Sequence, residues 1–336
     1  MSAERGPELV TAARPGPRSS IGSAPDALTG APDVSVLVPA KDEAENLPLF
    51  MELAAQAFAG SAVRYEVIVI DDGSIDGSWT VLEELQTRYP FLRAVRHRIR
   101  RGIADALRTG YLHARGRVLV FYPADLQYKP EDIPRLVTPI LSGDVDMVTG
   151  YKQGKYERRF VSSIYNGLSR KLFRLPVRDL NSVKAYRREV MDAIPIRPDW
   201  HRYMIAVAAA QGFSVTEIPV PLYARHAGRS KFGIGRIPIG VLDMLAVWFE
   251  LRFGQKPLLL FGVLGAMLAA IGVLAGITLV AIRIFAGFGY RPLIDLVVLS
   301  VIVGTVLFVG GLVGEMIAAQ RAEVRELRRR LDDAGR

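Results

Sequence analysis

From Val34 to about Thr149 the chain alternates between two kinds of segment. Short runs that are apolar throughout lie at Val34–Val38, Tyr65–Ile70, Leu92–Val95, Val118–Phe121 and Val145–Val148. Between them, at about Glu43–Phe58, Asp76–Thr87, Ile103–Ala114 and Glu131–Leu141, apolar residues recur at helical spacing. Strands without polar alternation, separated by helices, predict an α/β fold with a parallel sheet covered on both faces. Ligands of such sheets sit at the carboxyl ends of the strands, so the polar groups that follow each run are the candidates for chemistry.

The pattern changes towards the end of the chain. Leu258–Ile282 is 25 residues without a charge, about 37 Å as a helix. Leu296–Gly314 is 19 residues without a charge, close to the roughly 30 Å hydrocarbon core of a bilayer. The short link between them holds Gly287, Gly289 and Pro292. This predicts a two-helix transmembrane hairpin; buried core helices are the soluble alternative, but such helices rarely sustain 25 uncharged residues. Arg252, Lys256, Arg321, Arg325, Arg328, Arg329 and Arg330 flank the hairpin on the side of the chain ends, against Arg283 and Arg291 in the link. Basic residues favour the cytoplasm, which predicts a two-pass integral membrane protein with its catalytic domain and both termini cytoplasmic.

Two further segments have the character of interfacial helices. Tyr156–Leu175 spaces Phe160, Ile164, Leu168, Leu172 and Leu175 helically among Arg158, Arg159, Arg170, Lys171 and Arg174. Ile234–Phe253 carries Ile237, Val241, Leu245, Trp248 and Phe249 and leads into the first span. Basic amphipathic helices with aromatics suit the lipid headgroup region; ordinary packing on a core is the plainer reading. Residues 1–31 are rich in Ala, Gly, Pro, Ser and Arg without apolar periodicity, which predicts a disordered tail with no secretory apolar run. The expected organisation is therefore a tail at 1–31, a catalytic domain at 32–232, an interfacial helix at 233–254, two transmembrane helices within 257–318 and a charged cytoplasmic helix at 319–336.

Composition narrows the chemistry. The 336 residues contain no cysteine, which excludes disulfides, Cys-ligated zinc and thiol catalysis, and only four His, which leaves little for a His-rich metal site. Mean hydropathy is +0.21, with the apolar excess concentrated after residue 256. A net charge of +9 suits anionic lipid, phosphorylated substrates or nucleic acid. No RNA- or DNA-binding module accompanies that charge, and the Arg93, Arg96, Arg98, Arg100 and Arg101 run reads as solvated or lipid-facing.

The first run ends in Pro39-Ala40-Lys41-Asp42-Glu43-Ala44-Glu45-Asn46. Acidic residues there suit the first turn of a helix. The second ends in Ile70-Asp71-Asp72-Gly73-Ser74-Ile75-Asp76-Gly77-Ser78. Asp76 is a natural helix cap, but crowded carboxylates repel one another unless a cation or a donor-rich ligand sits among them, so Asp71 and Asp72 are candidate ligands. The fourth ends in Phe121-Tyr122-Pro123-Ala124-Asp125-Leu126-Gln127. Asp125 and Gln127 offer only oxygen ligands, which suit Mg²⁺ or Mn²⁺, with a bound diphosphate needed to complete the shell.

Taken in order, Val34–Asn46, the Asp-Asp-Gly-Ser run, Arg101-Gly102 through Gly110-Tyr111 and the Ala-Asp-Leu-Gln run resemble family-2 glycosyltransferases. More narrowly, they resemble the polyprenyl-phosphate glycosyltransferases, such as dolichol-phosphate mannose synthase and bacterial relatives with a two-helix anchor. The resemblance covers roughly residues 33–320. It implies a GT-A, Rossmann-like domain, a nucleotide-sugar donor of the GDP-mannose or UDP-glucose type, a divalent metal, and inverting transfer of a single hexose to polyprenyl phosphate. It places Pro39, Lys41, Glu43, Ile70 and Asp72 at the nucleoside and Ala124 beside the diphosphate. Asp125 and Gln127 fall at the metal, and Lys152, where an Arg is usual, at the donor. Arg158 and Ser162 match residues that hold the acceptor phosphate, and Arg225 and Lys231 match basic residues that close over the donor diphosphate. His226 reads as a plain basic-loop residue. Relatives of this kind are often oligomeric and can work with a lipid flippase. One departure is Pro123, where the family usually has the first Asp of Asp-x-Asp. It raises the alternatives of weakened metal binding and of a catalytically impaired membrane scaffold that binds nucleotide sugar or a partner. A transferase with a glycan or protein acceptor is a further alternative.

Overall fold

The computed structural model describes residues 30–153, 159–173, 175, 177–194, 200–227, 237–287 and 291–334. The expected tail therefore lies, but for its last residues, outside the described residues. Two compact units divide the chain, one reaching Met244 and one starting at Leu245.

The first unit is a seven-stranded sheet with helices on both faces. Its strands are β1 (Val34–Ala40), β2 (Tyr65–Asp71), β3 (Leu92–Arg96), β4 (Val118–Phe121), β5 (Met147–Gln153), β6 (Lys184–Arg187) and β7 (Val215–Pro221). They lie in the order β3-β2-β1-β4-β6-β5-β7. The five strands formed by the apolar runs lie parallel, as expected, while β6, which lies outside those runs, is antiparallel to both β4 and β5. Lys184-Ala185-Tyr186-Arg187 is too polar to read as a buried strand, and so it escapes a search for apolar runs.

The apolar runs become strands because both of their faces are covered. Val36, Val38, Val67, Val69, Val118 and Val120 point into a core shared with Leu47, Phe50, Met51, Ala54 and Phe58 of helix α1 (Leu47–Phe58). Full burial of each large side chain of this kind contributes roughly 1.5–3 kcal/mol. Strand alternation sends Leu37, Ile68, Ile70, Leu119 and Phe121 to the opposite face. There α3 (Ile103–His113) packs so closely that a Cβ on Gly110 would meet Ile70 at 2.9 Å.

β1 pairs in parallel with β2 on one side and β4 on the other. The chain moves outward from β1 to β2 and β3, then returns to place β4 on β1's other edge. Such a reversal opens a crevice beyond the strand ends, and the three acidic motifs follow the three strands that flank it.

In the second unit, α9 (Pro257–Ala286) and α10 (Arg291–Ala334) are long and apolar enough to cross a membrane. The buried-core alternative fails for them: Ile271, Leu274, Ile277 and Val306 are each more than half exposed. They pack antiparallel through small residues. A Cβ on Gly265 would meet the Gly304 carbonyl oxygen at 2.5 Å, and one on Gly311 the Gly262 nitrogen at 2.8 Å. Close backbone approach through glycine is how helices associate where lipid removes the hydrophobic drive. α10 continues unbroken through the charged segment, so the second span and the tail helix are one element.

Candidate active site

The site grows from the turns at the carboxyl ends of β1, β2 and β4. After β1, Lys41 pairs with the Asp42 carboxylate at 2.8 Å, and Asp42 sits at φ 51°. That left-handed residue is held from the β2 turn: its N–H donates to Ser74 Oγ (2.9 Å) and its Oδ1 accepts the Ile75 N–H (2.9 Å). The Glu43 N–H donates to Ser78 Oγ at 2.9 Å, while its side chain accepts from Asn46 Nδ2 at 2.6 Å. Asp76 accepts from the Ser78 N–H (2.9 Å) and the Ala44 N–H (3.2 Å). It therefore ties the two turns together besides standing at the start of α2 (Ser78–Arg88). Pro39 and Ile70 are paired across the β1–β2 ladder.

Asp71 and Asp72, expected to meet a ligand, also have partners within the protein. Asp71 accepts the Ser74 N–H (2.8 Å) and faces Arg96 Nε at 3.3 Å. Asp72 accepts the Arg101 N–H (2.7 Å), the Gly102 N–H (2.8 Å) and His97 Nδ1–H (2.9 Å). A carboxylate only accepts, so Nδ1 carries a proton, and Nε2 lies 2.9 Å from the Thr109 hydroxyl. Burial pushes the Asp72 pKa up, but these donors and the imidazole outweigh it and hold the carboxyl below its ordinary value. Gly73, at φ +66°, lets this turn lie on the next loop: a Cβ there would meet Arg100 N at 2.8 Å. Both carboxylates are thus tied to the β2 turn and to the stretch 96–102.

After β4, Ala124 is buried and Asp125 is 9% exposed. Leu126 takes φ 57°, which turns the chain so that the Gln127 N–H donates to Asp125 Oδ1 at 3.2 Å. Arg225 arrives from the loop after β7, its Nη2 lying 2.9 Å from Asp125 Oδ2 and 3.5 Å from Gln127 Oε1. Burial raises the Asp125 pKa, and Arg225 opposes that shift. Three residues singled out in the sequence thus meet, and the two expected metal ligands converge on a positively charged group. Oxygen atoms that converge on a cation, with one formal charge between them, fit a divalent ion completed by diphosphate oxygens. Among the described residues no group of three His, Asp or Glu forms a self-sufficient metal site.

Lys152 Nζ lies 3.2 Å from Asp179. Arg158 and Lys231 lie outside the described residues. Ser162 is in helix α5 (Arg159–Phe173), and its side chain also lies outside what is described. His226 is exposed. Sequence reasoning passed over His97, Asp179 and Lys184. His97 and Asp179 belong to no local pattern. Lys184 was hidden by its own charge: it is fully buried on β6, donates to the Ser182 carbonyl at 2.7 Å and lies over the Phe121 ring.

Burial lowers the Lys184 pKa to about 7, with Asp179 opposing and Lys152 reinforcing the shift. The unfolded chain therefore binds more protons than the folded one between about pH 7 and 10.5. Stability should rise with pH across that window, and Lys184→Met should flatten the rise. Thermal melts of both proteins from pH 6.5 to 10 check this; equal slopes would refute it.

An α/β domain with this strand order and acidic motifs at its strand ends has the fold of a GT-A glycosyltransferase. The family model described as glycosyl transferase family 2 matches residues 35–191. An undecaprenyl-phosphate 4-deoxy-4-formamido-L-arabinose transferase of Pseudomonas fluorescens is 30% identical over 301 residues, covering 87% of this chain and 86% of the relative. A dodecaprenyl-phosphate galacturonate synthase of Rhizobium johnstonii is 29% identical over 296 residues, covering 85% and 88%. The chain belongs to glycosyl transferase family 2 and is a glycosyltransferase. Its fold is similar to that of glucosyl-3-phosphoglycerate synthase from Mycobacterium tuberculosis, solved with Mn²⁺, uridine diphosphate and glucosyl-3-phosphoglycerate. That likeness has a TM-score of 0.52 at 19% identity, over 65% of this chain and 80% of that one.

Proposed function

We propose that this glycosyltransferase moves a single hexose from a nucleotide sugar, of the GDP-mannose or UDP-glucose type, to polyprenyl phosphate at the cytoplasmic face of a membrane. The observation that carries the reading is the Arg225–Asp125–Gln127 constellation at the end of β4, in a chain with two membrane-length helices. The polyprenyl-phosphate transferases among its relatives support the acceptor.

The chemistry asks little of the protein as a base. The second pKa of a phosphate monoester is about 6, so the acceptor arrives largely as a dianion ready to attack. What must be stabilised is the charge gathering on the departing nucleoside diphosphate. Asp125 and Gln127 would hold a divalent cation, Mg²⁺ or Mn²⁺, which supplies Lewis-acid neutralisation of that charge. Arg225, Lys152 and Lys231 add fixed positive charge around the same phosphates. Pro39, Lys41, Glu43, Ile70, Ala124 and Asp72 form the nucleoside and diphosphate wall. Arg158 and Ser162 hold the lipid phosphate in line behind the anomeric carbon, which turns an encounter into a positioned attack and inverts that centre. The helix Ile237–Phe253 and the α9–α10 hairpin keep the domain at the lipid surface.

Membranes containing the protein, given Mn²⁺, polyprenyl phosphate and a panel of labelled nucleotide sugars, should yield an organic-extractable labelled lipid from at least one donor. The panel should include hexuronate and aminopentose donors, because the relatives are named for galacturonate and 4-deoxy-4-formamido-L-arabinose. Pro123 favours a second reading, an impaired scaffold: calorimetry showing donor binding without turnover across the whole panel would establish that reading and reject transfer.

A further inference from the structure

We propose that Arg225 holds the cation seat of Asp125 closed until a nucleotide diphosphate arrives, so that divalent metal and donor are taken up only together. The inference rests on the metal-assisted reading above and assigns Arg225 a second role within it.

The argument begins with an almost buried charge. Asp125 is 9% exposed, and a carboxylate so withdrawn from water needs a counter-ion. Arg225 supplies one, 2.9 Å from Oδ2. The other oxygen is engaged by the Gln127 N–H, and the Gln127 amide oxygen also faces Arg225. The atoms a metal would use are therefore those Arg225 is using. A Mg²⁺ ion bonds oxygen at about 2.0–2.1 Å, so an ion entering at Oδ2 would stand within a few ångströms of the guanidinium. Two cations on one carboxylate repel, and the incoming ion must displace the resident one.

Pro123 tilts that competition. A second carboxylate two residues earlier would favour a doubly charged ion over a singly charged guanidinium. With Pro at 123, the seat has one formal charge, which Arg225 already balances. A diphosphate reverses the preference in two ways. Its oxygens complete the metal's shell, and they offer Arg225 an anion that its planar fork fits well.

The loop that carries Arg225 is built for a change of partner by the side chain alone. Its first residues are pinned to the Asp-Leu-Gln turn, the Tyr223 N–H donating to the Gln127 carbonyl at 2.9 Å. Lys129 lies over the Tyr223 ring, 4.4 Å from its centroid. Two residues past Arg225, the Ala227 carbonyl accepts from Asn46 Nδ2 at 3.4 Å. The backbone is thus tied on both sides of Arg225, once to the β4 turn and once to the start of α1. The side chain of the arginine between the ties is 22% exposed, and among the described residues its guanidinium meets Asp125 and Gln127.

The test is binding, read independently of turnover. Mn²⁺ uptake by purified full-length protein in lipid nanodiscs is followed by loss of the free-ion EPR signal, with and without UDP, against protein-free Mn²⁺–UDP blanks. The wild type should take up Mn²⁺ weakly alone and at least tenfold more tightly with UDP. Arg225→Gln should take up Mn²⁺ alone roughly tenfold more tightly than the wild type, the value of one partly buried ion pair. Asp125→Asn should take up none above the blanks in either condition, which shows that the ion counted is the one at this seat. Equal uptake by the wild type with and without UDP would overturn the proposal and leave metal-assisted transfer standing. So would an Arg225→Gln protein that melts like the wild type, binds Mn²⁺ with UDP and gains nothing without it. If no protein takes up Mn²⁺ even with UDP, the metal-assisted reading falls, and this inference with it.

Discussion

Asp125→Asn should reduce transfer at least a hundredfold in kcat while barely moving the melting temperature. The two effects separate because the carboxylate costs the fold something and serves the reaction. Burial raises its pKa, so the charge is held there against a desolvation penalty that Arg225 and the Gln127 N–H offset only in part. Asparagine keeps the shape and one acceptor oxygen for the Gln127 N–H, and the partly exposed Arg225 remains solvated. Asparagine cannot balance a divalent ion, and groups that stabilise charge in a transition state are worth about 10²–10³ in rate. Labelled lipid formed by nanodisc-embedded protein at saturating donor gives the rate, and a thermal melt gives the stability. Full activity in the variant would remove Asp125 from the mechanism; a collapse of the melt would make it structural.

Much of this architecture was legible because buried parallel strands leave uninterrupted apolar runs. Val118–Phe121 was read to the residue, and β1 and β2 to within two. What the pattern hid were elements that break the apolar rule. Lys184-Ala185-Tyr186-Arg187 buries a lysine that periodicity assigns to the surface. Val215–Pro221 carries Thr216, Glu217 and two prolines, which an edge strand tolerates. α1 begins four residues later than its apolar spacing suggested, because Glu43–Asn46 is spent on a turn that Ser74, Asp76 and Ser78 hold. The candidate site shows the same division. Motifs at strand ends named Asp72, Asp125 and Gln127 directly. That Arg225 would sit on Asp125, a hundred positions earlier in the chain, is a fact of tertiary structure that no local spacing encodes. Likewise the partners of the Asp71-Asp72 pair, Arg96, His97 and the Arg101 and Gly102 amides, come from a stretch more than twenty residues away.

That stretch supports the prediction with the largest effect on stability. Asp72→Ala should lower the melting temperature by about 10 °C and raise the donor KM by tenfold or more. Three donors lose their acceptor at once, and each buried polar group left unpaired costs about 1–3 kcal/mol. Partial exposure of Arg101 and Gly102 to water brings the sum to roughly 3–5 kcal/mol. For a domain of this size each kcal/mol shifts the melt by about 2–4 °C. The donor suffers too, because Gly102 stands at φ +95° at the head of α3, and Asp72 is what fixes that corner beside the crevice. Asp72→Asn should fall between, since it retains one acceptor oxygen and turns an amide NH₂ towards a donor. The pH dependence has a definite sign. The folded-state pKa lies below the ordinary value, so the carboxylate's contribution is complete above that value and is lost as pH falls through the folded one. The gap between wild type and Asp72→Ala should therefore stay constant from neutral pH down to about 4.5 and narrow only in stronger acid. Melts across that range, together with donor titrations, measure both consequences. A variant that melts within a degree of the wild type would show that the three donors find other partners and that Asp72 does not organise the wall.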